Sequence, residues 1–397
     1  MIAGYRCAVC GTTVDIATVH PWRCPRATDA DWRHLLRLVG RGPATAWRAF
    51  AGAHGMTDAA CDARYSALSA AIETVDGTTP HVTPFARHGA LSARLGFSER
   101  GGVWVKDETG NVAGSHKARH LLGTLLHLLV AEDLGLASGP RARLAIASCG
   151  NAALAAATLA AAVEWPIDVF VPEHAEGAVI ERLTAPGASI VVCPRRAGDP
   201  PGDPCFRAFR GAVAAGSVPF TVQGPMNATC LDTGRSIAWE IAAAGVSLDR
   251  VFVQVGGGAL ATCVGDGFAD AGVRPRLHVV QTEGAAPMAR AWDRWQAGRR
   301  SWADCMWPWE TPPRSAAEGI LDDETYDWLG VVEALTATGG SAIVVPEATV
   351  VAAHHVAAEA TGIGVSVTGA AGLAGLIAGR AVVGDHERVG VIFSGAA

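Results

Sequence analysis

The sequence is poor in charged residues and has no excess of basic ones. Of its 397 residues 18% are charged, and the net charge is −6 with a pI near 6.1. These values argue against a surface that binds a phosphate backbone, and hence against nucleic-acid binding. Half of the residues are apolar, which is typical of a compact enzyme with a large buried core.

Targeting and membrane-spanning signals are also missing. The start MIAGYRCAVC has no charged segment followed by an apolar run, so we expect no signal peptide. Alanine-rich runs such as CGNAALAAATLAAAV stop short of the roughly 20 residues that a spanning helix needs. The ten cysteines are scattered with one clustered pair, as in reduced thiols. We therefore expect a cytoplasmic protein without membrane contact.

No internal repeat or long polar linker divides the chain. From about residue 75, short β-branched runs alternate with alanine-rich ones, for example RVFVQVGGG before LATCVGDGFADAG. Continuous apolar strands separated by helices are typical of parallel sheets covered on both faces. The sequence therefore predicts an α/β fold, preceded by a separate piece at residues 1–30 and a helical region at residues 31–74.

Residues 291–310, AWDRWQAGRRSWADCMWPWE, hold five of the twelve tryptophans. Packing of an irregular insert is the favoured interpretation. A lid or a subunit contact is the alternative.

Lys117 lies in GNVAGSHKARH, where a glycine-containing loop runs into the apolar segment LLGTLLHLLV. This pattern places its amine at the start of a helix, where free backbone N–H groups disfavour a positive charge. Most lysines are solvated surface charges, but this position favours a neutral amine or its conversion to an imine. Lys117 is therefore the candidate for a Schiff-base lysine.

Two further turns follow strand-like runs. In IASCGNAA, Ser148, Cys149, Gly150 and Asn151 connect a strand to a helix and offer donors for a carboxylate or an aromatic oxygen. An ordinary helix cap would also explain Ser or Asn here. In RVGVIFSGAA a strand ends at Ser394, which would point into the ligand crevice at the carboxyl edge of a parallel sheet.

The stretch VFVQVGGGALATCVGDG places glycines between a strand and a helix. The backbone N–H groups of Gly256, Gly257, Gly258, Ala259 and Leu260 can close around a phosphate, since no side chain is in the way. The same stretch satisfies GxGxxA, and Glu283 ends the next strand as in a dinucleotide site. A nicotinamide dinucleotide has no use for the amine of Lys117. The motifs together offer partners for an amine-reactive carbonyl, a ring oxygen, a phosphate and a ring nitrogen, and pyridoxal phosphate has all four.

In the joint order of these motifs the sequence resembles the fold-type II pyridoxal-phosphate enzymes, and within them the threonine synthase and threonine/serine ammonia-lyase group. The family pattern Lys-x-Glu-x-x-Asn-Pro-Thr-Gly-Ser-Phe-Lys is similar to KDETGNVAGSHK, from Lys106 to Lys117. The Ser-x-Gly-Asn loop, the glycine-rich loop and the closing Ser-Gly are matched at residues 148–151, 256–260 and 394–395. Weaker matches are VTPF, VVQTEG and SAAEGI.

The resemblance implies a role for each motif. Lys117 would form the internal aldimine and later move the Cα proton, Asn151 would bind the ring 3-oxygen, residues 256–260 the phosphate and Ser394 the pyridine nitrogen. The loop from Ser148 to Asn151, with Cys149 and Gly150, would bind the substrate carboxylate, and Ser115 would be a further substrate-binding residue. A hydroxyl does not hold the ring nitrogen protonated as a carboxylate would, and family members of this kind favour elimination or replacement over transamination.

The sequence departs from the family around the lysine. Val112, Ala113 and His116 replace Pro, Thr and Phe, and Ala118 stands where threonine synthases usually carry Asp. These changes put phosphohomoserine, the threonine synthase substrate, in doubt. The His116-Lys117 pair is similar to that of tryptophan synthase β chains; a histidine beside the cofactor phosphate is favoured over one that helps a leaving group depart.

The start CAVC and the later HPWRC resemble the zinc-ribbon-like start of some threonine synthases. Cys7 and Cys10 have ligand spacing, Cys24 is a third candidate, and His20 is the candidate for completing a tetrahedral site. No fourth cysteine follows. Three interpretations of this segment therefore stay open: bound zinc, a metal-free relic of such a site, and ordinary buried thiols.

The sequence thus predicts a pyridoxal-phosphate-dependent, threonine synthase-like lyase or synthase that eliminates or replaces a group at Cβ or Cγ of an amino acid. We expect a homodimer, a large cofactor domain of residues 75–117 and 223–397, and a small domain, residues 118–222, that closes over substrate. The alternatives are a nicotinamide-dependent dehydrogenase built around Gly256, and a catalytically retired member that only binds a metabolite or a partner protein.

Overall fold

The computed structural model describes residues 2–40, 42–137, 139–173, 175–196, 198–199 and 202–396. Its strands are β1 (Gly4–Cys7), β2 (Thr13–Asp15), β3 (Leu36–Val39), β4 (Phe85–Arg87), β5 (Gly102–Asp107), β6 (Leu144–Ala147), β7 (Ile167–Pro172), β8 (Ser189–Cys193), β9 (Val218–Pro219), β10 (Arg250–Gln254), β11 (Arg276–Thr282), β12 (Ser341–Val345) and β13 (Arg388–Phe393). Its helices are α1 (Ala46–Ala53), α2 (Asp58–Asp76), α3 (Gly89–Arg94), α4 (Lys117–Asp133), α5 (Asn151–Ala162), α6 (Gly177–Thr184), α7 (Pro204–Ala214), α8 (Ser236–Ala243), α9 (Ala259–Asp270), α10 (Pro287–Gln296), α11 (Trp302–Cys305), α12 (Trp328–Thr338), α13 (Glu347–Thr361) and α14 (Val367–Ala378). Across these ranges, no helix combines the length and apolar character that crossing a bilayer requires.

The large sheet has the strand order β12-β11-β10-β13-β5-β4, and its neighbours are parallel except for β4 with β5. Alternate residues of β10 enter two separate apolar clusters, with Val253 on one face and Phe252 on the other. Helices α8, α9 and α12 contribute to the first cluster, and α13 and α14 to the second. The sheet is therefore covered on both faces, and the predicted α/β class is confirmed.

The small sheet has the strand order β8-β7-β6-β9 and is parallel throughout. Its apolar face packs against α4 and α5, whose leucines and alanines are almost all buried. All of its strands lie between residues 144 and 219. Strand β9 is short, because only Val218 and Pro219 pair with β6.

The N-terminal sheet is antiparallel, with the strand order β2-β1-β3. The prediction of helix for residues 31–74 is wrong at its start, because Leu36–Val39 pairs with Gly4–Cys7 and helix begins only at Ala46. The N-terminal unit therefore extends past residue 30 to residue 39.

The tryptophan-rich segment packs against the large sheet. Trp292 and Trp328 are buried in the first apolar cluster. Trp295 and Trp302 meet Trp328 edge-on, with ring centroids 6.2 and 5.9 Å away. These contacts agree with the interpretation of a packed insert.

Candidate active site

Three loops leave neighbouring strands of the large sheet at the same edge. Strands β10, β13 and β5 lie side by side and lead into residues 255–258, 394–396 and 108–117. Ligand crevices of parallel sheets form at the carboxyl ends of the strands. Together with the turn after β6, these loops enclose a cleft of about 700 Å³, which is in the size range of small-molecule sites.

Lys117 is the first residue of α4, as predicted, and the loop before it is sharply turned. Ala113 has a φ of 53°, in the left-handed region that alanine adopts only when its surroundings enforce it. The C-terminal segment holds this turn, because Ala396 N–H donates to Gly114 O at 2.8 Å.

A buried ion-pair network lies behind the loop. Arg119 donates to Glu108 at 2.7 Å and to Glu240 at 2.5 and 2.9 Å, and Asn111 donates to Glu108 at 2.8 Å. Burial alone would raise the pKa of Glu108, but Arg119 outweighs it and holds that pKa below its ordinary value. Lys106, Glu108 and Asn111, which carry the family pattern, thus support the loop from behind the cleft.

The chain has two lysines, and they differ in availability. Lys106 is fully buried, and its Nζ donates to Glu240 at 2.5 Å and to Thr83 O at 2.7 Å. Lys117 lines the cleft, and its Nζ has no hydrogen bond or ion pair with any residue that the structure describes. Burial lowers the pKa of Lys117, and Asp322 only partly opposes this. The equilibrium shifts towards the neutral amine, as a nucleophilic lysine requires.

The glycine loop between β10 and α9 has no room for side chains. Gly258 has a φ of 97°, and a Cβ on it would lie 2.8 Å from Thr325 Cγ2. A Cβ on Gly256 would lie 2.4 Å from Asp322 Oδ2. The N–H groups in the first turn of α9 have no acceptor within their own helix, so the loop is suited to an anion.

The turn after β6 faces the same cleft. Strand β6 ends at Ala147 and α5 begins at Asn151, as predicted. Gly150 N–H donates to Ser148 Oγ at 3.3 Å, and all four residues from Ser148 to Asn151 line the cleft.

Ser115 lies outside the cleft. Its side chain is fully buried, and its Oγ accepts the backbone N–H of Lys117 at 3.4 Å. The predicted contact between Ser115 and the substrate therefore has no support in this position, where the hydroxyl accepts a hydrogen bond from the lysine backbone instead.

Ser394 follows β13 and is 4% exposed. Gln254, at the end of β10, donates to Ser394 Oγ at 2.6 Å. Both residues line the cleft. Sequence reasoning found Ser394 from its place after a strand and missed Gln254, which looks like one more strand residue.

His116 lines the cleft as a neutral ring. Its Nδ1 lies 2.8 Å from Ser394 O, a carbonyl that only accepts, so Nδ1 carries the proton and Nε2 is bare. Burial first, and then the charge of Lys117, lower the pKa of His116 well below its ordinary value. The ring thus has no free N–H in this arrangement, and its predicted place beside the cofactor phosphate stays a prediction.

Sequence reasoning also missed Asp322 in this cleft. Its carboxylate accepts the Gly257 N–H, and burial raises the pKa of Asp322 to about 6 while Lys117 opposes the shift. It follows the weak match SAAEGI, which was the available signal. The tryptophan-rich segment contacts the neighbouring residue, since Trp309 N–H donates to Asp323 O at 2.9 Å.

Glu283, the acidic residue of the dinucleotide interpretation, is used elsewhere. Its Oε1 accepts the backbone N–H of Glu347 at 3.0 Å, at the first turn of α13. This contact argues against the dehydrogenase alternative.

A cluster of possible metal ligands lies outside the cleft, in the N-terminal unit. The ligand atoms of Cys7, Cys10, Cys24 and His34 fall within 4.8 Å of one another. The prediction of His20 as the fourth member is wrong. His20 is exposed, whereas pairing of β3 with β1 brings His34 Nδ1 to 3.4 Å from Cys7 Sγ.

A parallel α/β fold, with one free lysine beside a glycine loop and a serine after the neighbouring strand, defines an enzyme of the fold-type II pyridoxal-phosphate class. The chain belongs to the family of pyridoxal-phosphate dependent enzymes, whose family model matches residues 78–395. This finding confirms the predicted family.

Individual proteins are similar to this chain in sequence or in structure. The threonine synthase of Methanosarcina acetivorans is 26% identical over 328 residues, which are 79% of this chain and 74% of that protein. Maize serine racemase is 20% identical with a TM-score of 0.65, over 83% of this chain and 92% of that chain. A threonine deaminase from Solanum lycopersicum is 18% identical with a TM-score of 0.62, over 87% of this chain and 91% of that chain. The two solved structures share the fold of this chain.

The residues present fit pyridoxal phosphate. The amine of Lys117 is free for the carbonyl, and the side-chain-free loop at Gly256–Gly258 suits a phosphate. Ser394 offers a hydroxyl for the ring nitrogen. Asp322, which stands against the glycine loop, has a raised pKa and is therefore readily neutralised beside an anion.

Proposed function

We propose that this chain is a pyridoxal-phosphate-dependent lyase or synthase of the threonine synthase type, which eliminates or replaces a group at Cβ or Cγ of an amino acid. The observation that carries the proposal is the free amine of Lys117 in one cleft with the glycine loop and Ser394. The curated threonine synthase relative supports the same class.

When bound, pyridoxal phosphate supplies an aldehyde that condenses with amines and an electron-poor ring that stabilises negative charge at the substrate Cα. Lys117 is the base for the Cα proton, because burial favours its neutral amine. Asn151 would donate to the ring oxygen, and the N–H groups of residues 256–260 would hold the phosphate. The turn Ser148–Gly150 would hold the substrate carboxylate.

Ser394 favours elimination or replacement over transamination. A serine hydroxyl remains neutral, so it does not hold a ring nitrogen protonated as a carboxylate does. The ring is then a weaker electron sink, which suits reactions that expel a leaving group soon after the Cα proton is removed.

The attachment point is tested by reconstitution with pyridoxal phosphate and reduction with borohydride. We expect a yellow protein that is bleached by the reagent, with the added mass on the peptide that contains Lys117. Lys106 is an internal control because Glu240 and Thr83 hold its amine. Lys117→Ala should bind the cofactor, but borohydride should not attach it covalently to the protein. Its turnover should fall at least about 100-fold. Normal turnover by Lys117→Ala would overturn the proposal.

The reaction is tested on amino acids with hydroxyl, amino or phosphate groups at Cβ or Cγ. Formation of a 2-oxo acid and ammonia indicates elimination, and capture of an added nucleophile indicates replacement. Change of chirality alone would show a racemase instead. A colourless protein that oxidises a nicotinamide cofactor would show a dehydrogenase, and bound cofactor without turnover would show a retired enzyme.

We also propose that Cys7, Cys10, Cys24 and His34 hold a structural zinc ion. Cys10 Sγ and Cys24 Sγ are 3.5 Å apart, close to the roughly 3.8 Å edge of a tetrahedron with zinc–sulfur bonds of about 2.3 Å. The Nε2 of His34 lies 3.2 Å from Asp31 Oδ2. A carboxylate partner of this kind orients a histidine ligand.

The zinc proposal is tested by metal analysis of the purified protein. We expect about one zinc per chain in the wild type and loss of it in His34→Ala. His20→Ala is the matched control, since His20 is exposed and lies outside the cluster. Equal zinc content in the two variants would overturn the assignment of His34.

By resemblance to the family, we propose a cytoplasmic homodimer in which residues 118–222 close over the substrate. Light scattering tests the dimer, since a monomeric mass at working concentration would contradict it. Closure predicts that a substrate analogue slows proteolysis of the small domain.

A further inference from the structure

The amide of Gln254 has a fixed orientation. The side chain is 3% exposed, and its Nε2 lies 2.6 Å from Ser394 Oγ, 2.9 Å from Gly369 O and 3.3 Å from Ile392 O. Two of these neighbours are main-chain carbonyls, which accept hydrogen bonds and cannot donate them. The NH₂ end of the amide must therefore face them, because the reversed amide would set oxygen against oxygen.

This orientation sets the direction of the hydrogen bond at Ser394. An amide NH₂ only donates, so Ser394 Oγ accepts from Gln254 and keeps its own hydrogen for another acceptor. The bonds from His116 go to the main-chain oxygen of Ser394 and leave the hydroxyl free. Since Ser394 lines the cleft, its hydroxyl hydrogen is available to a ligand there.

Glycines in helix α14 leave room for the side chain of Gln254. A Cβ on Gly372 would lie 2.9 Å from Gln254 Oε1 and 3.0 Å from Phe252 O. One turn away, a Cβ on Gly375 would lie 2.2 Å from Val280 Cγ2. The helix therefore lies close against β10 and β11 only because these positions lack side chains.

We propose that Gln254 is a positioning residue that makes Ser394 a hydrogen-bond donor to the pyridine nitrogen of the cofactor, and so keeps that nitrogen unprotonated. The inference deepens the proposed function and rests on it. The ring then remains a weak electron sink, which restricts the enzyme to reactions that do not need a long-lived carbanion.

The test is ¹⁵N NMR of the protein reconstituted with pyridoxal phosphate that is labelled at the ring nitrogen. In the wild type we expect the shift of an unprotonated nitrogen that accepts a hydrogen bond. In Gln254→Leu the hydroxyl is free to rotate, so the resonance should move towards that of a free pyridine. The cofactor dissociation constant should rise between about twofold and tenfold, as for loss of one neutral hydrogen bond.

A double-mutant cycle shows whether Gln254 acts through Ser394. Ser394→Ala should shift the resonance and weaken cofactor binding, and adding Gln254→Leu should then change neither further. Additive effects, or an unchanged resonance in Gln254→Leu, would overturn the proposal.

Two outcomes separate this inference from the proposed function. If the wild type takes up cofactor but its ring nitrogen is protonated, the inference is wrong and the proposed function stands. If the wild type takes up no cofactor, both are wrong. Gln254→Met, close to glutamine in volume, replaces the leucine variant if the latter does not fold, as judged by circular dichroism.

Discussion

The main-chain oxygen of Ser394 accepts two hydrogen bonds from His116, one from the backbone N–H at 3.0 Å and one from ring Nδ1 at 2.8 Å. The ring thereby ties the C-terminal segment to the loop that carries Lys117. The segment that carries Ser394 and the loop that carries Lys117 are therefore held together by these two hydrogen bonds.

His116→Phe keeps an aromatic ring and removes one of these two bonds. We expect the cofactor dissociation constant to rise between about twofold and tenfold, since a neutral hydrogen bond is lost. Fluorescence titration with cofactor measures it. His355→Phe, at an exposed position of α13, is the control, and equal affinity of the two variants would contradict the expectation.

Arg119→Met should destabilise the fold strongly. It leaves the fully buried Glu108 with only Lys106, 4.0 Å away, as a cation, and breaking a buried pair in this way costs about 3–5 kcal/mol. Arg94→Met removes a half-exposed pair with Glu359 and should cost less than about 1 kcal/mol. Urea unfolding at neutral pH measures both, and similar losses would show that the buried network is not what supports the loop.

Gly372→Ala should disturb the cleft from the far side of the large sheet. Its Cβ would meet Gln254 Oε1 and Phe252 O, and overpacking of this kind costs about 1–3 kcal/mol. We expect weaker cofactor binding together with a lower melting temperature. Gly364→Ala is the matched control, because a Cβ there meets nothing within 4 Å.

The contribution of His127 to stability should depend on pH. The ring is 1% exposed and its Nε2 donates to Val19 O at 2.8 Å. Burial lowers the pKa of His127 to about 4. Between that value and the ordinary pKa of about 6.5, the unfolded chain binds a proton that the folded chain does not. Stability from this residue is therefore lost as the pH falls through about 6.5, and the loss levels off near pH 4.

The comparison with His127→Gln isolates this effect. The unfolding free energy of the wild type minus that of the variant should fall by up to about 2 kcal/mol between pH 7 and pH 5. Other buried groups titrate in both proteins and cancel in the difference, among them Asp327, whose pKa burial raises to about 7. A difference that is constant over this range would contradict the prediction.

Local patterns made much of the fold and part of the site predictable. Lys117, the turn from Ser148 to Asn151, and the glycine loop each lie where a strand-like or loop-like run meets a helix, and the structure places all three at one cleft. Their predicted roles remain proposals, because a local pattern places a residue and does not show what it binds.

The remaining features depend on contacts between distant segments. His34 reaches the cysteine cluster only because β3 pairs with β1. Gln254 reaches Ser394 because β10 and β13 are neighbours and α14 lies close above them. Asp322 is placed by a loop that packs over the glycines. The contacts of His34 and Gln254 have no signature within a few residues of sequence, and the only nearby signal for Asp322 was the weak match SAAEGI.

The scarcity of lysine also governs how the chain meets reactive small molecules. Of the 32 lysines and arginines, all but two are arginines, whose guanidinium groups stay protonated and are poor nucleophiles. Simple aldehydes that condense with amines thus find almost no ε-amine to modify. The outer surface keeps its cationic side chains almost without amines, and a reagent that acylates lysine would mark the cleft that contains Lys117.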